Sequence, residues 1–218
     1  SQVRFLARVI EEQPRPDLLA AWRRGVDFLL ASQHACGAWP QSYPRRVTPY
    51  NLYATLNDRV STDAARLRDE LLHGPLAHLL TIRQTQRMGD ALGRLQDFLV
   101  RSQFAAGGEL TGWAQQYDPD SLQPRPARTF EPVALASRET ADVLAYLMKI
   151  EKPSPEVRQA VNAGARWLQT MTLRGIRLVD RPDSSLPRGR DREVVHDPDA
   201  PPIWARFYDT NTLRPIFA

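Results

Sequence analysis

The sequence contains one cysteine and no hydrophobic run long enough to cross a bilayer. The lone Cys36 excludes an internal disulfide and a cysteine-based zinc site. There is also no glycine-rich phosphate loop, no nucleophile elbow and no HExxH motif. The four histidines are scattered, and none pairs with another at metal-ligand spacing. These absences argue against several common kinds of nucleotide, hydrolase and zinc chemistry, and against a membrane-spanning protein.

What is present indicates a single globular domain over residues 1–218, since 42% of the residues are hydrophobic and 25% are charged. The N-terminal segment SQVRFLARVIEEQ is amphipathic and carries both charge signs, so it is not a signal peptide. Lys and Arg outnumber Asp and Glu by 29 to 25, for a net charge of +4. Such a balance suits an acidic partner, either a nucleic acid or an anionic polysaccharide. Nucleic acid is the weaker candidate, because the aromatic residues cluster with Gln and Pro, not with Lys and Arg.

The chain repeats itself. RRGVDFLLASQ (23–33) aligns without gaps on GRLQDFLVRSQ (93–103), and NAGARWLQTM (162–171) is a weaker third copy. An aromatic loop follows each copy. Because stacked helical hairpins place equivalent loops at one end, we predict an all-α fold: an α/α toroid of about three hairpins, with irregular loops and room for short strands at a cleft. Trp39, Trp113 and Trp204 should then lie at the same end. An α-solenoid or irregular bundle is the alternative.

The loop GGELTGWAQQYDPDSLQPRPARTFEP (107–132) has no apolar periodicity and mixes aromatic rings, amides, a carboxylate and a guanidinium. Carbohydrate sites need this mixture, because rings stack on sugar faces, amides bind hydroxyl groups and charges bind carboxylates or metal. The alternative is an ordered connection whose Trp and Tyr are buried in the core.

Five motifs in this chain resemble the family 10 pectate lyases in order and spacing. They are GAWPQSYP followed by YNLYATLND, then GWAQQYDPDSLQPRPARTFEP, LMKIEKPSPEV, WLQTM, and APPIWARFYD with NTLRPIF. The resemblance implies a secreted α/α toroid that cleaves polygalacturonate by β-elimination with the assistance of Ca²⁺, with the signal peptide absent from this sequence. We further expect a monomer with no nucleic-acid or membrane partner. Family members extend beyond both ends of this sequence, so the domain is expected to be trimmed.

The resemblance also implies site residues. β-Elimination removes a weakly acidic C5 proton next to a carboxylate, which an oxygen-ligated divalent cation can neutralise. We predict Asp118 and Asp58 as Ca²⁺ ligands, with Arg206 and Asp58 as catalytic residues and Arg128 as a carboxylate clamp. Asp58 could instead, or also, cap the helix beginning near Val60, and Arg206 could be a second clamp. The predicted substrate contacts are Trp39, Gln41, Asn57, Trp113, Gln115, Gln116, Arg128, Trp204 and Tyr208.

Two departures from the family pattern lie at these motifs. Gly37-Ala38 stands where the family has paired glycines, and Arg59 stands where it has an acidic residue after Asn-Asp. A non-catalytic pectin-binding toroid would keep the aromatic residues but lose Asp118 or Arg206, and both are present. A glycoside hydrolase on the same fold would need two carboxylates flanking the bond, for which Asp58 and Asp118 could serve.

Overall fold

The structure is a computed structural model that describes residues 2–44 and 48–216. Helices in these ranges form three hairpins, in which α1 packs on α2, α3 on α4 and α5 on α6. Contacts of α4 with both α2 and α6, and of α3 with α5, place the hairpins side by side. The helices are α1 (Gln2–Glu12), α2 (Pro16–Ala31), α3 (Val60–His73), α4 (Ile82–Arg101), α5 (Ser137–Leu147) and α6 (Pro155–Thr170).

The sequence specifies where the second helix of each hairpin begins. Pro16 and Pro155 occupy first-turn positions, where a missing N–H leaves no intrahelical bond unmade. The Ser154 side chain accepts a hydrogen bond from the N–H of Val157 and caps α6. Thr81 and Gln84 form a capping box at the start of α4. Proline geometry and side-chain capping bonds therefore determine where these helices begin, using only residues that are neighbours in the sequence.

The prediction of an all-α toroid is wrong, because antiparallel strands accompany the helices. Within residues 2–44 and 48–216 the strands form four small sheets, β1 with β4, β2 with β3, β5 with β8 and β9, and β6 with β7. Short backbone pairings satisfy the loop hydrogen-bonding groups that no helix can satisfy. The strands are β1 (Ala54–Thr55), β2 (Ala105–Ala106), β3 (Glu109–Leu110), β4 (Gln116–Tyr117), β5 (Ala134–Ala136), β6 (Ile176–Pro182), β7 (Arg190–His196), β8 (Phe207–Asp209) and β9 (Pro215–Ile216).

The internal repeat is confirmed by three equivalent hydrogen bonds. The indole N–H of each repeat tryptophan donates to a leucine carbonyl two residues before the last residue of α2, α4 or α6. The three repeat tryptophans therefore lie at the same end of their helices, as predicted. The bonds join Trp39 to Leu29 (2.9 Å), Trp113 to Leu99 (2.7 Å) and Trp204 to Leu168 (2.7 Å).

The loop of each of the first two repeats packs on the helix of the next repeat. Gly37 lies directly against the α4 backbone at Arg94, with a φ of 107° that favours glycine. In the second repeat, a Cβ on Gly164 of α6 would lie 2.8 Å from the Trp113 ring. The packing of repeat on repeat thus depends on small residues that admit a neighbouring loop.

Candidate functional site

Three polar residues, two of them far away in the chain, converge on one buried carboxylate near the loop end of the molecule. We call Asn57, Arg128, Glu131 and Arg206 the Glu131 cluster. The Glu131 side chain is 1% exposed, whereas the side chains of Arg128 and Arg206 are 43% and 47% exposed. The carboxylate is therefore covered while the two guanidinium groups face solvent, where a ligand can reach them.

Glu131 binds both arginines. Arg128 donates from Nε to Oε2 at 2.9 Å and from Nη2 to Oε1 at 2.6 Å, a two-pronged pairing that fixes the guanidinium plane. Arg206 donates from Nη2 to Oε1 at 3.4 Å. Asn57 Nδ2 adds a bond to the same oxygen at 3.2 Å. One carboxylate thus sets the relative positions of two cationic groups.

Short strands bring these segments together. The Gln115 carbonyl accepts the N–H groups of Leu56 and Asn57, which extends the β1–β4 pairing and carries Asn57 to the cluster. Arg206 precedes β8, which pairs with β5 just after Glu131. Each arginine also lies over an aromatic ring, Arg128 over Phe130 and Arg206 over Phe207. The strands that contradict the all-α prediction are therefore the elements that build the cluster.

Electrostatics keep Glu131 ionised. Burial alone would raise the pKa of its carboxyl, but the hydrogen bonds from Arg128 and the positive charges of Arg128 and Arg206 outweigh it. The pKa of Glu131 consequently lies below its usual value. At neutral pH the Glu131 carboxylate is therefore ionised and keeps its hydrogen bonds from Arg128 and Arg206.

A second buried carboxylate, Glu139 on α5, lies close to the cluster. Burial raises its pKa, against the positive charge of Arg206 and a 3.3 Å bond from Gln115 Nε2. Oε2 of Glu139 and Oε1 of Gln115 are buried and have no hydrogen-bond partner within the described residues. These two buried oxygens lack the hydrogen-bond donors that buried polar atoms normally have in a folded protein.

Asp58 lies in a strained turn beside the cluster, with its side chain exposed. Asp58 and Arg59 have consecutive positive φ angles of 52° and 61°. Non-glycine residues rarely adopt such angles, and strain of this kind is common at functional sites. The N-cap position of α3 is held by Arg59, which makes no side-chain capping hydrogen bond, so the alternative that Asp58 caps this helix is wrong. Arg59 instead pairs with Asp142 at 3.0 Å.

Asp118 lies in a turn of its own loop. Its Oδ1 accepts the N–H groups of Asp120 and Ser121, and its Oδ2 accepts from Arg125 at 3.0 Å. The hydrogen bonds from the Ser121 N–H and the Arg125 side chain lower the pKa of Asp118 to about 2. Both oxygens are thus occupied, and a cation at Asp118 would have to displace Arg125.

Several predicted substrate contacts lie in the core. Trp39, Trp113 and Tyr208 are at most 3% exposed, so the prediction that they contact substrate does not fit, because they offer no face to a sugar. Gln115 and Gln116 are also buried, and Gln116 bonds the Arg125 carbonyl. For the second-repeat loop, the structure therefore agrees with the alternative of an ordered connection with a buried Trp and Tyr. Gln41 is exposed, and Trp204 is 44% exposed.

The donors near Asp58 suit a calcium ion only in part. Calcium takes six to eight oxygen ligands. Asp58 offers an exposed carboxylate, and Gln115 and Glu139 each have one buried oxygen without a partner among the described residues. Residues 2–44 and 48–216 contain no group of three or more His, Cys, Asp or Glu that could hold a metal ion. The donor chemistry fits an ion that completes its shell with water and substrate, not an ion enclosed by protein.

Comparison with known proteins identifies the family. The family model described as pectic acid lyase matches residues 1–218, and the chain belongs to that family. No curated protein matches the chain. The structure resembles the family 10 polysaccharide lyase from Cellvibrio cellulosa, with 31% identity and a TM-score of 0.83 over 97% of this chain. An Asp-to-Ala mutant of that lyase, in complex with trigalacturonic acid, matches with the same identity and TM-score.

The chain spans 65% of the length of the mutant structure and 64% of the unmutated one. No helix in the described ranges is long and apolar enough to cross a membrane.

Glu131 and Glu139 were not predicted from the sequence. Glu131 lies three residues after Arg128 in ARTFEP, and the chain turns between them. This spacing of opposite charges across a turn was a detectable sign of an ion pair. Glu139 lies in the first turn of α5, where a carboxylate ordinarily stabilises the helix N-terminus and needs no further explanation.

Proposed function

We propose that this chain carries the active site of a polysaccharide lyase that cleaves polygalacturonate by β-elimination. The Glu131 cluster supports the proposal, because it presents two exposed guanidinium groups held by one buried carboxylate. Guanidinium forks match carboxylates in geometry and charge, and polygalacturonate bears one carboxylate per sugar. Family membership supports the same reaction.

In this reaction a base removes the C5 proton, the bond from C4 to the glycosidic oxygen breaks with its electron pair moving to that oxygen, and a C4–C5 double bond forms. The departing oxygen takes a proton from water and becomes a hydroxyl group. Arg128 binds a galacturonate carboxylate and holds the sugar in register. Arg206 is the candidate proton acceptor, with the role of a second clamp as its alternative. Glu131 orients the arginines, Asn57 donates a hydrogen bond to Glu131, and the exposed Asp58 follows Asn57 directly in the chain.

Calcium is part of the proposal. Asp58 would hold it together with substrate oxygens and water, and Asp118 stays a predicted ligand only if it releases Arg125. When bound, the ion neutralises the carboxylate next to C5 and so makes the C5 proton more acidic. Arg59, at the position after Asp58, pairs with Asp142 and so supplies no ligand oxygen to the ion.

The remaining parts of the proposal concern substrate contact and location. Gln41 and Trp204 are the exposed members of the predicted contact set, and the Trp204 ring is available for stacking on a sugar. The catalytic groups all come from one chain, so a single copy is the proposed catalytic unit. Secretion follows from the substrate, a cell-wall polymer outside the cell.

Product analysis tests the proposal. Purified protein is incubated with polygalacturonate at alkaline pH, with added calcium or with a chelator, while absorbance in the near ultraviolet is followed. A lyase leaves an unsaturated, absorbing end, and we expect the absorbance to rise with calcium and to slow with chelator. Reducing ends that accumulate without absorbance would indicate a hydrolase and overturn the proposal.

A further inference from the structure

Glu131 holds the side chains of Arg128 and Arg206 with unequal strength. Arg128 makes two side-chain bonds to Glu131, of 2.6 and 2.9 Å, and its own N–H donates to Oε2 at 3.3 Å. The bond from Arg206 is single and measures 3.4 Å, longer than the usual range of about 2.7–3.2 Å. The Phe207 ring beside Arg206 belongs to the same segment of chain. The position of the Arg206 guanidinium therefore depends mainly on how its backbone is held.

Ser137 holds that backbone with two hydrogen bonds. Its hydroxyl donates to the carbonyl of Ala205 at 2.7 Å, and its N–H donates to the carbonyl of Arg206 at 3.2 Å. On the other side of the same segment, the N–H of Ala205 donates to the Tyr208 hydroxyl at 3.0 Å. The residue before Arg206 is thus fixed through both its N–H and its carbonyl, and Ser137 supplies the contact to the carbonyl.

Ser137 is the first residue of α5, yet its hydroxyl does not cap that helix. At the start of a helix a serine hydroxyl commonly accepts a backbone N–H. In α5 the N-cap residue is Ala136, which makes no side-chain capping bond. The Ser137 hydroxyl crosses instead to a carbonyl 68 positions later in the chain. Its bond joins the helix to the segment that carries Arg206.

The same turn of α5 also holds the loop of the second repeat. Thr140 Oγ1 accepts the N–H of Trp113 at 2.9 Å. A Cβ on Gly112 would lie 2.5 Å from Thr140 Oγ1, so the loop lies directly against the helix. One turn of helix thus connects the loop that contains Arg128 with the segment that contains Arg206.

We propose that Ser137 is a positioning residue for Arg206 and sets its guanidinium group relative to that of Arg128. The inference rests on the proposed lyase function, because it gives Ser137 a part in holding the uronate that the arginines bind. Guanidinium groups pair with carboxylates in a fixed geometry, and a misplacement of about 1 Å can cost about a hundredfold in rate. Ser137 acts through the backbone of Arg206 and does not itself touch the substrate.

Ser137→Ala removes the hydroxyl and keeps the backbone N–H. We expect kcat/KM on polygalacturonate to fall about tenfold, through the same constant, kcat or KM, that Arg206→Lys changes. Ser137→Thr keeps a hydroxyl and should retain most of the wild-type rate. Ser154→Ala is the matched control, because it removes a hydroxyl that caps α6. It should lower the melting temperature without changing either constant.

A measurement that needs no lyase activity tests the position of Arg206 directly. In a ¹⁵N–¹H spectrum of the arginine side chains, the Nε signal of Arg206 is assigned by its loss in Arg206→Lys, and that of Arg128 by its loss in Arg128→Lys. Ser137→Ala should shift the Arg206 signal and leave the Arg128 signal in place. Ser154→Ala should shift neither signal.

These outcomes separate the role of Ser137 from the proposed function. If wild type forms no unsaturated product, the proposed function fails, and the spectrum still decides whether Ser137 positions Arg206. An Arg206 signal and a kcat/KM that both stay unchanged in Ser137→Ala would overturn the inference. A loss of kcat/KM in Ser154→Ala as large as that in Ser137→Ala would also overturn it, because general destabilisation would then explain both.

Discussion

Glu131 illustrates how one residue can organise a site that it does not itself expose. Its carboxylate is buried and binds two guanidinium groups that face solvent. Removing one partner of a buried, hydrogen-bonded charge leaves the others without compensation. The position of the arginines should therefore depend on the charge of Glu131 and not only on its shape.

Glu131→Gln tests this dependence with almost no change in volume. We expect kcat/KM on polygalacturonate to fall at least tenfold, about 1.4 kcal/mol of transition-state binding, because the amide presents an uncharged group to Arg128 and Arg206. Glu193→Gln is the control, since it removes one carboxylate from an exposed pair with Arg181. Steady-state kinetics would contradict the role of Glu131 if both variants matched wild type.

Arg206→Lys separates the two roles open to Arg206. A clamp needs mainly positive charge, so lysine would raise KM and leave kcat largely intact. A base must reach the C5 proton, and lysine would misplace it. We predict a fall in kcat of at least about a hundredfold, with a wild-type optimum above about pH 8, because a guanidinium yields its proton reluctantly.

Arg181→Lys on β6 is the matched control for this substitution and should change neither constant. A near-normal kcat for Arg206→Lys, with only KM raised, would make Arg206 a clamp.

Asp118→Asn tests whether Asp118 acts mainly through its turn. The folded-state pKa of Asp118 is about 2, below the value of about 3.9 expected in an unfolded chain. Its contribution to stability is thus present above pH 4 and is lost as the pH falls toward 2. Unfolding by urea at a series of pH values should show the variant less stable than wild type at pH 6, with the difference vanishing near pH 2.

The asparagine amide oxygen can still accept the turn hydrogen bonds, so Asp118→Asn should keep most activity if Asp118 is not a metal ligand. Loss of most activity at unchanged helical content would return Asp118 to the calcium site. Asp120→Asn removes a neighbouring charge without touching these bonds and serves as the control.

At the scale of elements, the repeat predicted more than the composition did. The offset of 70 residues between the first two copies located equivalent helix ends, and Trp39 and Trp113 bind carbonyls of Leu29 and Leu99 at that same offset. Caps such as Ser154-Pro155 located helix starts. Periodicity along a helix depends on neighbours three and four residues apart, which the sequence displays directly.

The strands and the site were harder to predict for a physical reason. β1 and β4 have two residues each, and they pair across about 60 positions of the chain, a contact that leaves no local pattern. The cluster likewise joins Asn57 and Arg206 through Glu131. Aromatic residues in polar loops also suggested sugar stacking, yet Trp39 and Trp113 serve as helix-end hydrogen-bond donors in the core.

Gly164→Ala tests the packing of one repeat on the next. The added methyl would lie 2.8 Å from the Trp113 ring and 3.1 Å from Leu144, so we expect a loss of about 1–3 kcal/mol in unfolding free energy. Gly93→Ala in α4 is the matched control, because a Cβ there meets nothing within 4 Å. The control should stabilise by about 0.5–1 kcal/mol, since alanine is the better helix former. Equal effects in urea unfolding would contradict the close packing of the second-repeat loop on α6.

At the scale of the whole molecule, three hairpins supply a rigid stack and their loops supply the chemistry. Short strands between loops of different repeats bring Asn57, Arg128, Glu131 and Arg206 together from across the chain. The strands of the long β6–β7 hairpin carry four arginines, twice as many as the cluster, but each of them pairs with an acidic side chain on or beside these strands. We therefore assign function to the arginines that share a buried carboxylate and not to positive charge in general.

The central claim is tested most directly by near-ultraviolet absorbance from polygalacturonate, compared between two doubly substituted proteins. One carries Arg128→Ala and Arg206→Ala, and the other carries Arg177→Ala and Arg181→Ala on the β6 strand, so that each loses two positive charges. We predict that wild type and the hairpin variant form unsaturated product at similar rates, and that the cluster variant is at least about a hundredfold slower. Absorbance that is missing from wild type, or undiminished in the cluster variant, would contradict the claim that the Glu131 cluster is the active site of a lyase.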